Sequence, residues 1–171
     1  MPDFKSLIRD VQDFPKKGIL FKDITPLLAD AKAFDAAVSA MAEPFKGRGI
    51  RRVAGIESRG FLLASIVANK LGAGVIPIRK KGKLPFKKIS VSYDLEYGED
   101  CVEVHEDAAP KGSKVLLVDD VLATGGTAKA SCELLEKLGA KVDGVSFLIE
   151  LSFLKGREKL PGRDVFALMS Y

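Results

Sequence analysis

Histidine and cysteine are scarce in this sequence: one His and two Cys in 171 residues. The single imidazole, His105, removes most zinc sites and most histidine-based nucleophilic triads. Cys101 and Cys132 stand far apart and match no metal-ligand spacing. Two thiols without a disulfide framework fit a reducing compartment. No apolar run approaches the length of a membrane span. The start, Met-Pro-Asp-Phe-Lys, lacks the apolar core of a signal peptide. The expectation is a cytoplasmic protein with no membrane partner. Gly-x-Gly-x-x-Gly and a P-loop closing in Gly-Lys-Ser/Thr are both missing, so neither standard nucleotide motif applies. There is no internal repeat, linker or low-complexity tract.

What is present suits one domain over residues 1–171, long enough to bury a core. The composition is 47% hydrophobic and 29% charged, ordinary for a globular chain. Lys and Arg number 27 against 23 acids, giving a net charge of +4. That excess suits a polyanionic small ligand as well as nucleic acid and does not choose between them.

The stretch Val115–Thr127 carries the most chemistry. Val115 to Val118 are apolar without alternation, as in a strand buried on both faces of a parallel sheet. Asp119 and Asp120 follow where that strand should end. The small-residue loop Ala123-Thr124-Gly125-Gly126-Thr127 then opens a helix expected to stop at Gly139. Ligands of open α/β sheets bind beyond the carboxyl ends of strands. Loop N–H groups, two Thr hydroxyls and the positive end of a helix make a phosphate site. The carboxylates would repel that phosphate and suit a ribose diol or a divalent cation instead. On these residues alone, a sugar-phosphate site and an ordinary strand–turn–helix joint stay evenly matched.

Elsewhere the pattern alternates strands and helices. Phe4, Leu7, Ile8 and Val11 predict a short amphipathic helix over residues 3–11, broken by the loop Phe14–Gly18. Ile19 to Leu28 read as an extended segment covering the core. Asp30 is placed to cap a helix bearing Phe34, Val38, Met41 and Phe45. Val53–Ile56 predicts a strand, turning through Glu57-Ser58-Arg59-Gly60 into a helix over Phe61–Leu71. Val75–Ile78 predicts another strand, running into the basic Arg79-Lys80-Lys81-Gly82-Lys83. Such a run is a solvated loop, a nucleic-acid contact or a diphosphate contact; no aromatic platform interleaves with it for single-strand binding. Residues 86–105 alternate as a hairpin-like, largely polar excursion, a candidate lid, with His105 on a surface strand. Val142–Ile149 predicts the last long core strand and Val165–Leu168 an edge strand.

The stretch Val115–Thr127 resembles the binding signature for 5-phosphoribosyl-1-pyrophosphate (PRPP) of the type I phosphoribosyltransferases. Further segments extend the likeness over nearly the whole chain, toward the adenine-using members. Phe21-Lys22-Asp23-Ile24 resembles their Phe-Arg-Asp-Ile, with Lys22 in place of Arg. Glu57-Ser58-Arg59-Gly60-Phe61 resembles Glu-Ala-Arg-Gly-Phe. Arg79-Lys80-Lys81-Gly82-Lys83-Leu84-Pro85 matches their Arg-Lys-x-Gly-Lys-Leu-Pro, and Tyr93-Asp94-Leu95-Glu96-Tyr97-Gly98 their mobile catalytic loop.

The resemblance implies an α/β fold, a central parallel sheet flanked by helices, with a small hood (about residues 1–30 and the C-terminal part) and a mobile lid hairpin (about 86–105). It implies a purine-salvage glycosyltransferase that converts adenine and PRPP to AMP and pyrophosphate. Asp119, Asp120, Ala123, Thr124, Gly125, Gly126 and Thr127 would hold PRPP or AMP. Arg59, Arg79, Lys80 and Lys83 would receive pyrophosphate. Leu20, Phe21, Lys22 and Leu151 would hold adenine. Glu96 would be the acid/base, with Arg59 and Tyr97 assisting. Mg2+ would be held mainly by PRPP and water, with no assured protein ligand. A homodimer is implied, with no nucleic-acid partner. The alternatives are a 6-oxopurine phosphoribosyltransferase and a PRPP-sensing transcription regulator, for which the basic run 79–83 would contact nucleic acid.

Overall fold

The computed structural model describes residues 3–94 and 99–171. Seven strands form one sheet: β3 (Arg52–Ile56), β4 (Gly74–Lys80), β5 (Lys88–Asp94), β6 (Glu99–His105), β7 (Lys114–Leu122), β8 (Lys141–Glu150) and β9 (Val165–Ser170). Their order is β5-β6-β4-β3-β7-β8-β9. The five from β4 to β9 in that order run parallel, while β6 is antiparallel to β4 and β5 to β6. This is the α/β architecture expected, with the predicted edge strand at β9.

The runs of apolar residues read as buried strands are buried because both sheet faces are covered. One face packs α2 (Ala31–Ala42) and α3 (Arg59–Leu71), where Val38, Met41, Leu63 and Val67 meet Leu116, Val118 and Leu148. The other packs α4 (Gly126–Lys137), where Leu134 and Leu135 meet Ile76, Ile78, Leu117 and Phe147. Alternation along β7 thus sends Leu116 and Val118 to one core and Leu117 to the other. Asp30 caps α2 as predicted, its Oδ1 accepting from the Lys32 and Ala33 amides at 3.0 and 2.9 Å. No helix among the described residues is long and apolar enough to cross a membrane.

Three expectations are corrected. The helix over residues 3–11 is a single 3-10 turn, Phe4–Leu7, followed by strand β1 (Arg9–Gln12). Its spacing fits one turn equally well, and residues 9–12 are taken by an antiparallel ladder with β2 (Leu20–Asp23), reinforced by a Lys22–Asp10 ion pair. The segment after β2 is not extended either: Thr25–Ala29 forms the short helix α1, with Pro26 in its first turn. Finally, Asp119 and Asp120 do not end β7, since pairing with β8 continues to Leu122 and Glu150.

The excursion over 86–105 is a hairpin, but its base is part of the sheet. Val91, Val102 and Val104 face the α4 core and are buried. Its tip, residues 95–98, lies outside the described residues. His105 closes β6, where Nε2 accepts from the Phe86 amide at 3.4 Å and the two rings meet edge-on. Both cysteines are free; burial pushes the Cys132 thiol up to about 11, which keeps it protonated.

Candidate active site

A cavity of about 500 Å³ opens beyond the carboxyl ends of β3, β4 and β7. Asp119 and Asp120 form its floor. Arg59 enters from the first turn of α3, which lies close to β7 because residue 60 is glycine: a Cβ there would sit 2.8 Å from Asp119 Oδ1 and 3.1 Å from the Val118 carbonyl oxygen. Arg59 Nε is 2.8 Å from Asp120 Oδ2. The N–H does not point along that line, so this buried oxygen has charge contact but no hydrogen-bond donor among the described residues. Burial and the neighbouring Asp120 charge push the Asp119 carboxyl well above the usual carboxylate range. Burial raises Asp120 too, against the pull of Arg59. Asp119 Oδ1 accepts from the Asp120 amide at 2.9 Å, but Asp120 Oδ2 is short of a donor, and the pair gains from any ligand that supplies hydroxyl groups or positive charge.

Beside the acids lies a recess of about 80 Å³ lined by Thr124, Gly125, Gly126 and Thr127; it shares Asp119, Val121, Ala123 and Thr127 with the larger cavity. The helix α4 starts here with Gly125 as N-cap at φ +79°, and no side chain caps its first N–H groups. The recess is therefore a donor-lined anion cradle. Its shape depends on a brace that the loop sequence alone does not reveal. A Cβ at Gly125 would collide with the Gly156 carbonyl, and one at Gly156 with the Ala123 carbonyl.

The opposite end is apolar. Ile19, Leu20 and Phe21 of the β1–β2 arm line it together with Leu151 and Leu154. The Arg59 guanidinium carbon lies 4.7 Å from the centroid of the Phe21 ring, over its face. Phe14 packs on Phe21 edge-on at 5.1 Å. Lys22 also lines the cavity, but its ammonium donates to Asp10 at 2.6 Å and sits 4.0 Å from the Tyr171 ring centroid.

The basic residues divide into two groups. Lys80 lines the cavity, and its ammonium bonds Asp100 and the Tyr93 hydroxyl. Arg79 and Lys83 instead converge on Glu57 at the rim and do not line the cavity. Burial would raise the Glu57 carboxyl, but Lys83, the Lys80 amide (2.9 Å) and Arg79 outweigh it and hold it at about 2. Sequence reasoning missed Glu57, Tyr93 and Asp100 as organisers of this cluster. For Glu57 the available signal was a carboxylate leaving a buried strand opposite a run of cations. Glu96 and Tyr97 lie outside the described residues.

Residues 27–161 match the family model described as the phosphoribosyl transferase domain. Over 99% of both chains, the sequence is 60% identical to an adenine phosphoribosyltransferase of Symbiobacterium thermophilum. The chain belongs to the phosphoribosyltransferase family, among its adenine phosphoribosyltransferases. The crystal structure of the adenine phosphoribosyltransferase from Thermoanaerobacter pseudethanolicus superposes with a TM-score of 0.96 at 50% identity, covering 99% of this chain and 98% of that one. The Giardia lamblia enzyme complexed with 9-deazaadenine superposes at 0.93 and 41% identity, covering 99% and 96%. The family's central sheet, with its ligand edge at the strand termini, is thus the fold in which this acid pair, anion cradle and apolar slot lie.

Proposed function

We propose that this chain transfers the 5-phosphoribosyl group of PRPP to adenine, yielding AMP and pyrophosphate in purine salvage. The observation that carries this reading is a chain of contacts through one site: the donor-lined anion cradle shares Asp119 with the cavity, Asp120 beside it meets Arg59, and Arg59 lies over Phe21 of the apolar slot. Phosphate, ribose diol and purine follow one another in AMP in the same order.

The Ala123–Thr127 loop anchors the 5-phosphate, so binding energy far from the reacting carbon fixes its position. Asp119 and Asp120 accept from the ribose hydroxyls, and their negative charge lies near the sugar. At the reacting centre the bond from the anomeric carbon to the diphosphate oxygen breaks and a bond to the purine imidazole nitrogen forms. The sugar carries oxocarbenium-like positive charge between these events, and the leaving diphosphate keeps the electron pair. Lys80 stabilises that leaving group, aided by Arg79 and Lys83 if they exchange Glu57 for it. Phe21 and Leu151 sandwich the base, and Leu20 and Lys22 address its edge through the main chain. An apolar Leu151 suits adenine, which lacks the 6-oxo group of hypoxanthine and guanine. Glu96 accepts the imidazole proton while Tyr97 and the rest of the lid exclude water.

Mg2+ fits this site as a companion of the diphosphate. Among the described residues no three acidic, His or Cys side chains converge on one point, and a magnesium ion keeps several water and phosphate ligands anyway. When bound it would neutralise leaving-group charge; Glu57, Asp119 and Asp120 are the carboxylates that line the cavity. We further propose that the protein works as a homodimer in the cytoplasm; its two free thiols suit a reducing compartment.

Radiolabelled adenine, hypoxanthine and guanine, each supplied with PRPP and Mg2+, test the proposal directly. Adenine alone is expected to give its monophosphate. Conversion of an oxopurine would remove the assignment of the apolar slot. Binding of PRPP without turnover of any base would favour a regulator.

A further inference from the structure

The hairpin side of the cavity holds a polar cluster drawn from four elements. Register places Tyr93 of β5 opposite Asp100 of β6, and Lys80 of β4 opposite Val102 of β6. Residues two apart share a strand face, so Lys80 and Asp100 are diagonal neighbours. The Tyr93 hydroxyl accepts from Lys80 Nζ at 2.8 Å and from Thr127 Oγ1 at 3.1 Å, and donates to Asp100 Oδ2 at 2.9 Å. Lys80 and Asp100 also form a direct ion pair, their side chains 33% and 29% exposed. Burial works against the Lys80 charge, yet Asp100 and Tyr93 outweigh it and strengthen its hold on the proton.

We propose that Asp100 is a resident counter-anion of Lys80 that the diphosphate displaces on binding, and that Tyr93 is the positioning residue that keeps Lys80 aimed at the cavity through the exchange. This rests on the reading of Lys80 as a pyrophosphate ligand. An ammonium has three donors, and two are committed to Tyr93 and Asp100. A diphosphate approaching Lys80 therefore meets a competing carboxylate that repels it. The competition lowers affinity for PRPP and pyrophosphate alike, and the returning carboxylate helps expel pyrophosphate after transfer. Thr127, bonded to the same hydroxyl, ties the phosphate loop to the cluster. AMP has no diphosphate and does not enter the exchange.

Asp100→Asn keeps the shape and one acceptor while removing the charge, and Asp100→Ala removes both. Titration calorimetry with pyrophosphate and with AMP is the measurement. Both variants are expected to bind pyrophosphate about 2- to 5-fold tighter, the range of a partly exposed charge pair, with AMP affinity unchanged. The KM for PRPP should fall alongside, without a rise in kcat because product leaves more slowly. In a Lys80→Met background the gain from Asp100→Asn should shrink to what direct charge repulsion alone supplies, and the difference between the two backgrounds measures the Lys80–Asp100 competition. Tyr93→Phe should weaken pyrophosphate binding. Unchanged or weaker pyrophosphate binding by Asp100→Asn, with AMP affinity retained, overturns the exchange; wild-type affinity in Tyr93→Phe overturns the positioning role. A wild-type protein that binds AMP but not pyrophosphate overturns this inference alone. One that binds neither overturns the phosphoribosyl reading beneath it.

Discussion

Gly125 shows how much of the site depends on a single atom that is missing. Its φ of +79° is left-handed, and a Cβ would run into the Gly156 carbonyl that braces the loop. Gly125→Ala is therefore expected to cost AMP and ribose-5-phosphate affinity by roughly tenfold or more, since left-handed backbone alone costs an L-residue about 1–2 kcal/mol. Calorimetry with ribose-5-phosphate isolates the cradle from the base slot. Full affinity in that variant would show that the loop can rebuild itself away from residue 156. The residues Asp119, Asp120 and Arg59 were legible in the sequence because the two acids directly follow the apolar run Val115–Val118, inside β7, and Arg59 follows β3 at its turn. Glu57, Tyr93 and Asp100 were not, because their partners depend on which strands lie side by side. Glu57 meets Lys83 only because β3 neighbours β4, and Tyr93 meets Lys80 only through β6.

At the scale of elements, periodicity and caps were the legible signals. Asp30 before a 3.6-residue apolar pattern fixed the start of α2, and Gly72 in left-handed conformation ends α3 where the pattern stops. The same periodicity failed at the N-terminus. Phe4, Leu7, Ile8 and Val11 satisfy helical spacing, but Val11 pairs with Phe21 across a ladder whose partner strand is encoded downstream. Short segments of this kind are decided by what they pack on. The hairpin base was underestimated for a related reason, since Val102 and Val104 are core residues only once α4 lies over them. The capped helix offers a clean test. Asp30→Ala removes two hydrogen bonds from backbone amides at a residue that does not line the cavity, so unfolding free energy should fall by about 1 kcal/mol while the KM for PRPP stays the same. A denaturant titration with parallel kinetics measures both. A changed KM would mean that α2 is coupled to the site through the sheet.

Over the whole molecule, stability and ligand binding meet at the edge where β3, β4 and the 80s loop join. One core reaches this edge through Ile56 and Ile78, and beyond them cations and carboxylates tie the strand ends together. Glu57 is the acid that ties them, with its carboxyl held at about 2 against an ordinary 4.5. A carboxyl depressed by folding stabilises the native state only while it is ionised. The Glu57 contribution is thus complete above about pH 4.5 and is lost as pH falls toward about 2. Glu57→Gln lacks that contribution at every pH. Urea midpoints measured between neutral pH and the acid end of that window should place the variant below wild type at neutral pH, with the gap narrowing through the window. Midpoints that remain parallel across it would remove Glu57 from the acid limb and assign the stability of this edge to Asp100 and Glu103, whose carboxyls are also held low by lysines.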